Sequence, residues 1–235
     1  MIRPEQQRRA YLQAMGIDIW VPRDAQEPMD DGHDSAAGEL PLAGELAQGG
    51  ALDWGELRAC VEGCTRCELS QSRTNTVFGV GNSEADWMII GEAPGAEEDR
   101  QGEPFVGRAG KLLDQMLTAI GESRDRVFIA NILKCRPPNN RDPKPDEAAA
   151  CRDYLERQIA LVRPKIILAV GKIAAQNLLA CDDPVGRMRG RDHELNGIPL
   201  VVTYHPAYLL RSPSQKRKSW ADLCRAARLA SETGT

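Results

Sequence analysis

The sequence has no apolar run long enough to cross a membrane, because its longest clearly apolar stretch is IILAV at residues 166–170. The N-terminus also lacks an apolar core after its arginines, so it shows no secretion signal. We therefore expect a cytoplasmic protein. A content of 42% hydrophobic and 27% charged residues is typical of an ordinary globular chain.

A disulfide framework is not expected either, because the seven cysteines are an odd number and the expected compartment is reducing. The same count favours metal ligation. Cys64 and Cys67 form a CxxC pair, and Cys135 and Cys151 form a second, wider pair. Four thiolates suit zinc or an iron–sulfur cluster, and spacing alone does not choose between them. Cys60 is close enough to Cys64 to compete as a ligand.

The formal net charge of −4 does not by itself indicate a nucleic-acid-binding protein, but the charge is unevenly distributed along the sequence. Residues 1–60 contain 5 Lys and Arg against 11 Asp and Glu, whereas residues 61–235 contain 25 against 23. Between Arg211 and Arg228 there are six basic residues against Asp222 alone. Such a helix face is typical of a solvated surface, but it also suits contact with phosphates.

Several familiar catalytic motifs are missing, namely GxxxxGK[ST], GxGxxG, HExxH and HxE with PCxxC. The nearest loop is GEAPGAEEDR at residues 91–100, which follows an apolar run. Its acidic residues Glu97, Glu98 and Asp99 would repel a phosphate. The loop is therefore either a plain turn or a backbone cradle for another kind of ligand.

Short apolar segments alternate with helical patterns after residue 51, which predicts an α/β fold. The segments are apolar on both faces, so we expect a four-stranded parallel sheet flanked by helices on both faces. The predicted strands are residues 86–91, 127–132, 165–170 and 199–204. Residues 1–50 are predicted to form a short helix and a flexible acidic extension, and residues 51–235 to form the α/β domain.

Ligands of parallel sheets bind beyond the carboxyl ends of the strands, and polar or Gly/Pro-rich chemistry follows each predicted strand here. Asn131 ends the second strand, where its amide requires hydrogen bonds from the backbone or from a ligand. His205 leaves the fourth strand. Phe105 lies in the glycine-rich loop GEPFVGRAG, where it suits either a hydrophobic plug or a stacking platform for a base.

Taken together and in order, these motifs resemble the iron–sulfur, or family 4, branch of the uracil-DNA glycosylase superfamily. The matching elements are CTRC, GEAPGAEEDRQGEPFVGRAGKLLD, NILKCRPPNNRDPKPDE, the later Cys151, VGK and YHPAYLLR. The resemblance implies hydrolysis of the N-glycosidic bond of deoxyuridine in DNA, which leaves an abasic site. It also implies a structural [4Fe–4S] cluster on Cys64, Cys67, Cys135 and Cys151.

The resemblance also implies how a base is read after it has been flipped out of the DNA stack. Phe105 would stack on the flipped ring, and Asn131 would bond the uracil edge in preference to that of cytosine. Gly91, Glu92 and Ala93 would present backbone groups to the base. A base edge carries no phosphate charge, which reconciles the loop with its acidic residues.

For bond breaking, the resemblance implies that His205 donates a hydrogen bond to the uracil O2 and stabilises the leaving anion. Leu209 or Tyr208 would fill the vacated stack as an apolar wedge, and Arg211 would contact a phosphate.

One departure concerns the attacking water. Better-known members of the superfamily have an Asp in the first motif where this chain has Ala93. Glu92, Glu98 or a backbone carbonyl are the candidates for positioning water. The loop after the second strand has no His, so we expect hydrolysis rather than a covalent link to DNA.

Two alternatives to an enzyme remain at this stage. The chain is either a module that binds uracil-containing or single-stranded DNA without turnover, or an iron–sulfur scaffold associated with a polymerase. For the enzyme and for the binding module the partner is uracil-containing DNA, single- or double-stranded, whereas the scaffold would hold a partner through residues 1–50, and a nucleoid-associated monomer is expected. Residues 1–50 are a candidate for recruiting a replication or repair protein.

Overall fold

The computed structural model describes residues 52–232, in which helices cover both faces of a six-stranded sheet. The strands are β1 (Val80–Gly81), β2 (Trp87–Gly91), β3 (Phe128–Asn131), β4 (Ile166–Val170), β5 (His193–Leu195) and β6 (Ile198–Thr203). The α-helices are α1 (Trp54–Glu62), α2 (Ala96–Gln101), α3 (Arg108–Ala119), α4 (Pro145–Val162), α5 (Lys172–Leu179), α6 (Val185–Met188), α7 (Pro206–Arg211) and α8 (Lys216–Glu232). The helix and acidic extension predicted for residues 1–50 lie outside the described residues.

The strands lie in the order β1-β3-β2-β4-β6-β5, and the four central ones are parallel. The predicted four-stranded parallel sheet is therefore confirmed, but β1 and β5 extend it as antiparallel edge strands that the sequence analysis does not predict. β5 and β6 are joined by Asn196 and Gly197, whose φ angles are 52° and 80°. Positive φ at both central residues is the geometry of a tight hairpin turn.

Both faces of the sheet are apolar because alternate residues of each central strand point to opposite sides. In β2, Met88 and Ile90 pack on the side covered by α1, α4 and α5, whereas Trp87 and Ile89 pack on the side covered by α3, α7 and α8. All four side chains are 5% exposed or less. No helix between residues 52 and 232 has the length and apolar character required to cross a membrane.

The register of the strands sets the position of the polar loops. Gly91 at the end of β2 pairs with Asn131 at the end of β3, and Val170 at the end of β4 pairs with Thr203 at the end of β6. The loops that follow these four residues therefore leave the sheet at the same edge.

Candidate active site

A cavity of about 650 Å³ lies at the carboxyl ends of the four parallel strands. We call it the pocket. Residues predicted from the sequence that line it are Glu92, Ala93, Glu98, Phe105, Asn131, His205, Tyr208 and Arg211. Residues that the sequence analysis does not single out also line it, among them Asn140, Arg141, Lys172 and Tyr204. Lys172 directly follows the β4 loop, so the strand-end rule contained the signal for finding it.

The Asn131 side chain is buried at 2% exposure, and its Oδ1 has no hydrogen-bond partner within residues 52–232. A side chain on Gly91 would bring Cβ to 2.5 Å from this Oδ1 and to 2.6 Å from Cζ of Phe105. Only glycine leaves room for both groups at this position. The pocket therefore contains a buried amide acceptor without a protein donor, which is costly unless a ligand supplies one.

Phe105 is held in a strained conformation with φ at 55° and its side chain buried. Arg124 donates hydrogen bonds to the carbonyl oxygens of Pro104 and Phe105, the latter at 3.2 Å. Helix α3 packs so closely that a Cβ on Gly110 would lie 1.7 Å from the Phe105 oxygen. These contacts hold the ring stacked against His205, with centroids 5.6 Å apart and planes 27° apart.

The acidic residues that follow the first loop are engaged with the backbone. The Glu98 carboxylate accepts hydrogen bonds from the N–H groups of Gly95, Val106 and Gly107, at 3.1, 3.1 and 3.2 Å. Asp99 is buried and accepts two backbone N–H groups of residues 74–75. Glu98 therefore connects the first loop to the Phe105 loop, and both of its oxygens are occupied, which disfavours it as the group that positions water.

His205 precedes α7 as its N-cap, and its Nδ1 accepts the backbone N–H of Ala207 at 3.1 Å. Burial lowers the pKa of His205 to about 4, and the nearby charge of Arg211 acts in the same direction. The imidazole is therefore neutral at pH 7. Because Nδ1 is an acceptor, the ring proton is on Nε2, which makes His205 a neutral hydrogen-bond donor.

Glu92 is a half-buried carboxyl group that lines the pocket. Burial, and to a smaller extent the charge of Asp142, raise the pKa of Glu92 to about 7, whereas the charge of Lys172 opposes this shift. A carboxyl group with this pKa exchanges its proton near neutral pH, which is the range in which a general base is effective.

The structure does not support Leu209 as a wedge. Its side chain is 1% exposed and packs in the apolar cluster that contains Phe105 and Leu223. The neighbouring Tyr208 and Leu210 are 36% and 38% exposed. The buried residues of α7 are Pro206 and Leu209, which lie three residues apart on one face of the helix, so the exposed apolar side chains are those on either side of Leu209.

Exposed apolar residues and unpaired cations coincide in residues 208–220, which we call the basic strip. Within residues 52–232, the exposed large hydrophobic side chains are Tyr208, Leu210 and Trp220, all of them in the strip. The strip also carries four exposed cations without an ion pair in the described chain: Arg211, Lys216, Arg217 and Lys218. Asp222 does not neutralise them, because it is buried and paired with Arg189.

The four predicted metal ligands line a second, small cavity on the α4 side of the sheet, which we call the cysteine cavity: Cys64, Cys67, Cys135 and Cys151. The first pair follows α1, Cys135 follows β3, and Cys151 lies in α4. Cys60 does not line this cavity. No group of three or more His, Cys, Asp or Glu side chains in residues 52–232 is arranged so that it could hold a metal ion.

Cations surround the cysteine cavity. Arg66, Arg73 and Lys134 line it, and the Nη1 of Arg73 donates to the Cys135 sulfur at 3.1 Å. The Nη1 of Arg66 is buried and has no partner within the described chain. Burial raises the pKa of the Cys151 thiol to about 11, against the effect of the Lys134 backbone N–H. The cations that line the cavity would therefore complement the charge of an anionic occupant.

Comparison with known proteins gives matches over the same region. The family model of the uracil DNA glycosylase superfamily matches residues 78–224, which include all six strands. The Type-4 uracil-DNA glycosylase of Archaeoglobus fulgidus is 44% identical over 167 residues, covering 68% of this chain and 84% of that protein. The Type-4 enzyme of Saccharolobus solfataricus is 48% identical over 162 residues, covering 65% and 75%. That of Thermotoga maritima is 44% identical over 158 residues, covering 66% and 82%.

Proposed function

Because the chain belongs to the uracil DNA glycosylase superfamily, we propose that it is an enzyme that hydrolyses the N-glycosidic bond of deoxyuridine in DNA. The products are free uracil and an abasic site, so the role is DNA repair. The motif resemblance to this superfamily is confirmed by the family match. The relatives named above are similar over most of their own length, which supports the same activity here.

The observation that carries the proposal is the unpaired Oδ1 of the buried Asn131. Uracil presents an N3–H donor beside its O4 acceptor, which complements the oxygen and the NH₂ of an amide. Cytosine presents an acceptor at N3 and a donor at its amino group, so the same amide would meet two mismatches. A site built to bond one edge rejects the other because its buried polar groups are then left unpaired.

The remaining groups account for bond breaking. The ring of Phe105 would stack on the flipped base, next to His205. As the bond between N1 and C1′ breaks, its electron pair moves onto the base and charge develops at O2. The Nε2–H of His205 would stabilise this charge as a hydrogen-bond donor without transferring its proton. Water then adds to C1′, where its oxygen stays, and it releases one proton.

Glu92 is the residue that we propose to orient the water and accept its proton. It lines the pocket, its pKa is raised to about 7, and its carboxylate is not committed to the loop backbone as that of Glu98 is. Ala93, at the position of the missing Asp, has no group that could do so.

The basic strip is the surface that we propose to follow the DNA strand beyond the pocket. Leu210 or Tyr208 would fill the gap left by the flipped base, and Arg211 would contact a phosphate. Trp220 lies one helical turn after Lys216 and Arg217, so its ring and their charges share a face of α8. Aromatic rings among cations are suited to single-stranded DNA. Activity in the cytoplasm at the nucleoid is part of the same proposal.

The cysteine cavity is proposed to hold a [4Fe–4S] cluster on Cys64, Cys67, Cys135 and Cys151. Its donor set fits, since four buried or half-buried thiols are surrounded by cations and an unpaired Arg66 N–H that sulfur can accept. In a cubane each thiolate binds its own iron, so the sulfurs need not converge as they do around one zinc ion. When bound, the cluster would supply a covalent link between three chain segments.

The test is a cleavage assay on a labelled oligonucleotide with one deoxyuridine, followed by alkali to cut abasic sites. His205→Ala should lower kcat by about 10²- to 10³-fold, the usual cost of removing an oxyanion donor. His193→Ala is the matched control, because His193 contacts the Met188 oxygen and does not line the pocket. Retention of the oligonucleotide by wild-type protein without abasic product would replace the enzyme with a binding module.

A further inference from the structure

Lys134 is buried at 1% exposure, and its position relates the pocket to the cysteine cavity. Its Nζ donates hydrogen bonds to the main-chain oxygen of Asn131 at 3.0 Å and to Oε1 of Gln158 at 2.6 Å. The amide of Gln158 in turn donates to the Phe78 oxygen at 2.8 Å. A buried ammonium group is costly unless it is bonded in this way, so a structural reason must exist for a lysine rather than an apolar residue.

The main chain of Lys134 is equally fixed. Its oxygen accepts the N–H of Val77 at 2.8 Å, and its N–H acts to lower the pKa of the Cys151 thiol. The next residue is Cys135, and Lys134 itself lines the cysteine cavity. Lys134 therefore lines the cysteine cavity and also bonds the end of β3 with its side chain.

The Asn131 carbonyl is the point at which this connection reaches the pocket. The side chain of Asn131 leaves the same residue toward the pocket, and its Oδ1 has no hydrogen-bond partner in the part of the chain that the structure describes. Within residues 52–232, no hydrogen bond therefore holds Asn131 Oδ1 in place before a base arrives. The direction of the Asn131 side chain then depends on how firmly its backbone is fixed.

We propose that Lys134 is a positioning residue, which holds the Asn131 backbone through a hydrogen bond to its carbonyl and ties the base-reading amide to the cysteine cavity. The inference rests on the proposed role of Asn131 in binding uracil. Lys134 does not touch the base, so its effect is on how the base is bound. A residue that reads the base before and during bond breaking changes KM more than kcat when it is displaced.

The test is Lys134→Met, which keeps the length of the side chain but removes its donors. The dissociation constant of free uracil, measured by titration calorimetry, should rise about tenfold, the equivalent of one lost hydrogen bond to a charged group. KM for the deoxyuridine oligonucleotide should rise in parallel, with kcat changed less. Iron content and the melting temperature are measured on the same preparations.

Arg157→Met is the matched control, because Arg157 lies next to Gln158 on α4 and, like Lys134, donates to a main-chain oxygen, that of Leu52, which does not line the pocket. It should lower the melting temperature without moving the uracil dissociation constant. A Lys134→Met protein that loses stability or iron but binds uracil like wild type would overturn the inference and leave the proposed function intact.

Gln158→Leu covers the case in which Lys134→Met does not fold. It removes the other acceptor of Lys134 and should raise the uracil dissociation constant about threefold. A folded Gln158→Leu protein with wild-type affinity would also overturn the inference. If wild type binds uracil but releases none from DNA, the proposed enzyme fails while these affinities still test Lys134. If wild type neither binds uracil nor releases it from DNA, both proposals fail.

Discussion

The pocket and the cysteine cavity each contain a buried polar atom that has no hydrogen-bond partner among residues 52–232, but the two atoms have opposite character. In the pocket it is an acceptor, Oδ1 of Asn131, whereas in the cysteine cavity it is a donor, Nη1 of Arg66. The pocket is open, at about 650 Å³, and the other cavity is small and lined by three cations. The unpaired group in each cavity is of the kind that the proposed occupant would satisfy, namely a base edge with a donor in the pocket and anionic sulfur in the cysteine cavity.

Cys151→Ser should have the largest effect and should act on the fold rather than on the chemistry. If the cysteine cavity holds the proposed cluster, the variant should lose iron and its Tm should fall by about 10 °C or more, because metal binding and folding are coupled. Calorimetry and iron analysis measure both. Cys224→Ser is the matched control, since Cys224 is exposed and outside the cavity. Equal Tm values for Cys151→Ser and Cys224→Ser would contradict the proposal that the cysteine cavity stabilises the fold by holding a cluster.

Gly91→Ala should have the opposite effect, because we expect it to lower activity while the protein still folds. The added Cβ would overlap Asn131 Oδ1 and the Phe105 ring, so we expect kcat/KM to fall about 10- to 100-fold. Gly186→Ala provides the comparison, because a Cβ there meets nothing within 4 Å. Wild-type kinetics in a folded Gly91→Ala protein would show that the close packing of these groups is not required.

The pH profile should separate two groups within the pocket. The carboxylate form of Glu92 predominates only above its pKa of about 7, so kcat/KM should rise up to tenfold per pH unit below 7 and level off above it. His205, whose pKa is about 4, stays neutral over the pH range in which Glu92 titrates, so it adds no pH dependence there.

Two substitutions test this assignment. Glu92→Gln should lower the rate and flatten the profile, and Asp142→Asn should move its midpoint to lower pH because it removes a charge that raises the pKa of Glu92. If the midpoint of the pH profile is unchanged in both variants, the pH dependence of kcat/KM arises from a group other than Glu92.

The smallest effect is expected on the basic strip, where the pocket continues along the protein surface. Trp220→Ala should raise KM for single-stranded substrate about fivefold through the loss of one exposed stacking contact, with kcat unchanged. Trp220→Phe keeps a ring and should recover most of the affinity. If alanine and phenylalanine behave alike, Trp220 does not stack on DNA.

Most of the sheet was predictable because each central strand is a short segment that is apolar on both faces, and these segments alternate with helical patterns along the sequence. The edge strands β1 and β5 were not predicted, since Val80–Gly81 and His193–Leu195 are too short for any periodicity to appear. Helix α1 was also missed, although Asp53 and Glu56 form a capping box that its sequence spacing could have indicated.

For the site, the strand-end rule together with the motif resemblance selected Asn131, Phe105 and His205, which the structure brings to one pocket. It failed at Leu209, because which residue of a short helix points inward depends on how that helix packs on the sheet. Lys134 could not be recognised either. A lysine in a sequence looks solvated, and only the fold shows that its ammonium group is buried between the Asn131 carbonyl and Gln158.

The sequence by itself determined the α/β class, the parallel core and the order of the motifs, because these depend on local apolar patterns and on residues that adjoin strand ends. The tertiary structure alone decided the tautomer of His205, the pKa of Glu92, the unpaired oxygen of Asn131 and the placement of the four cysteines around one cavity. Each of these depends on burial and on partners distant in the chain. Such contacts form only when the strand register and helix packing are fixed.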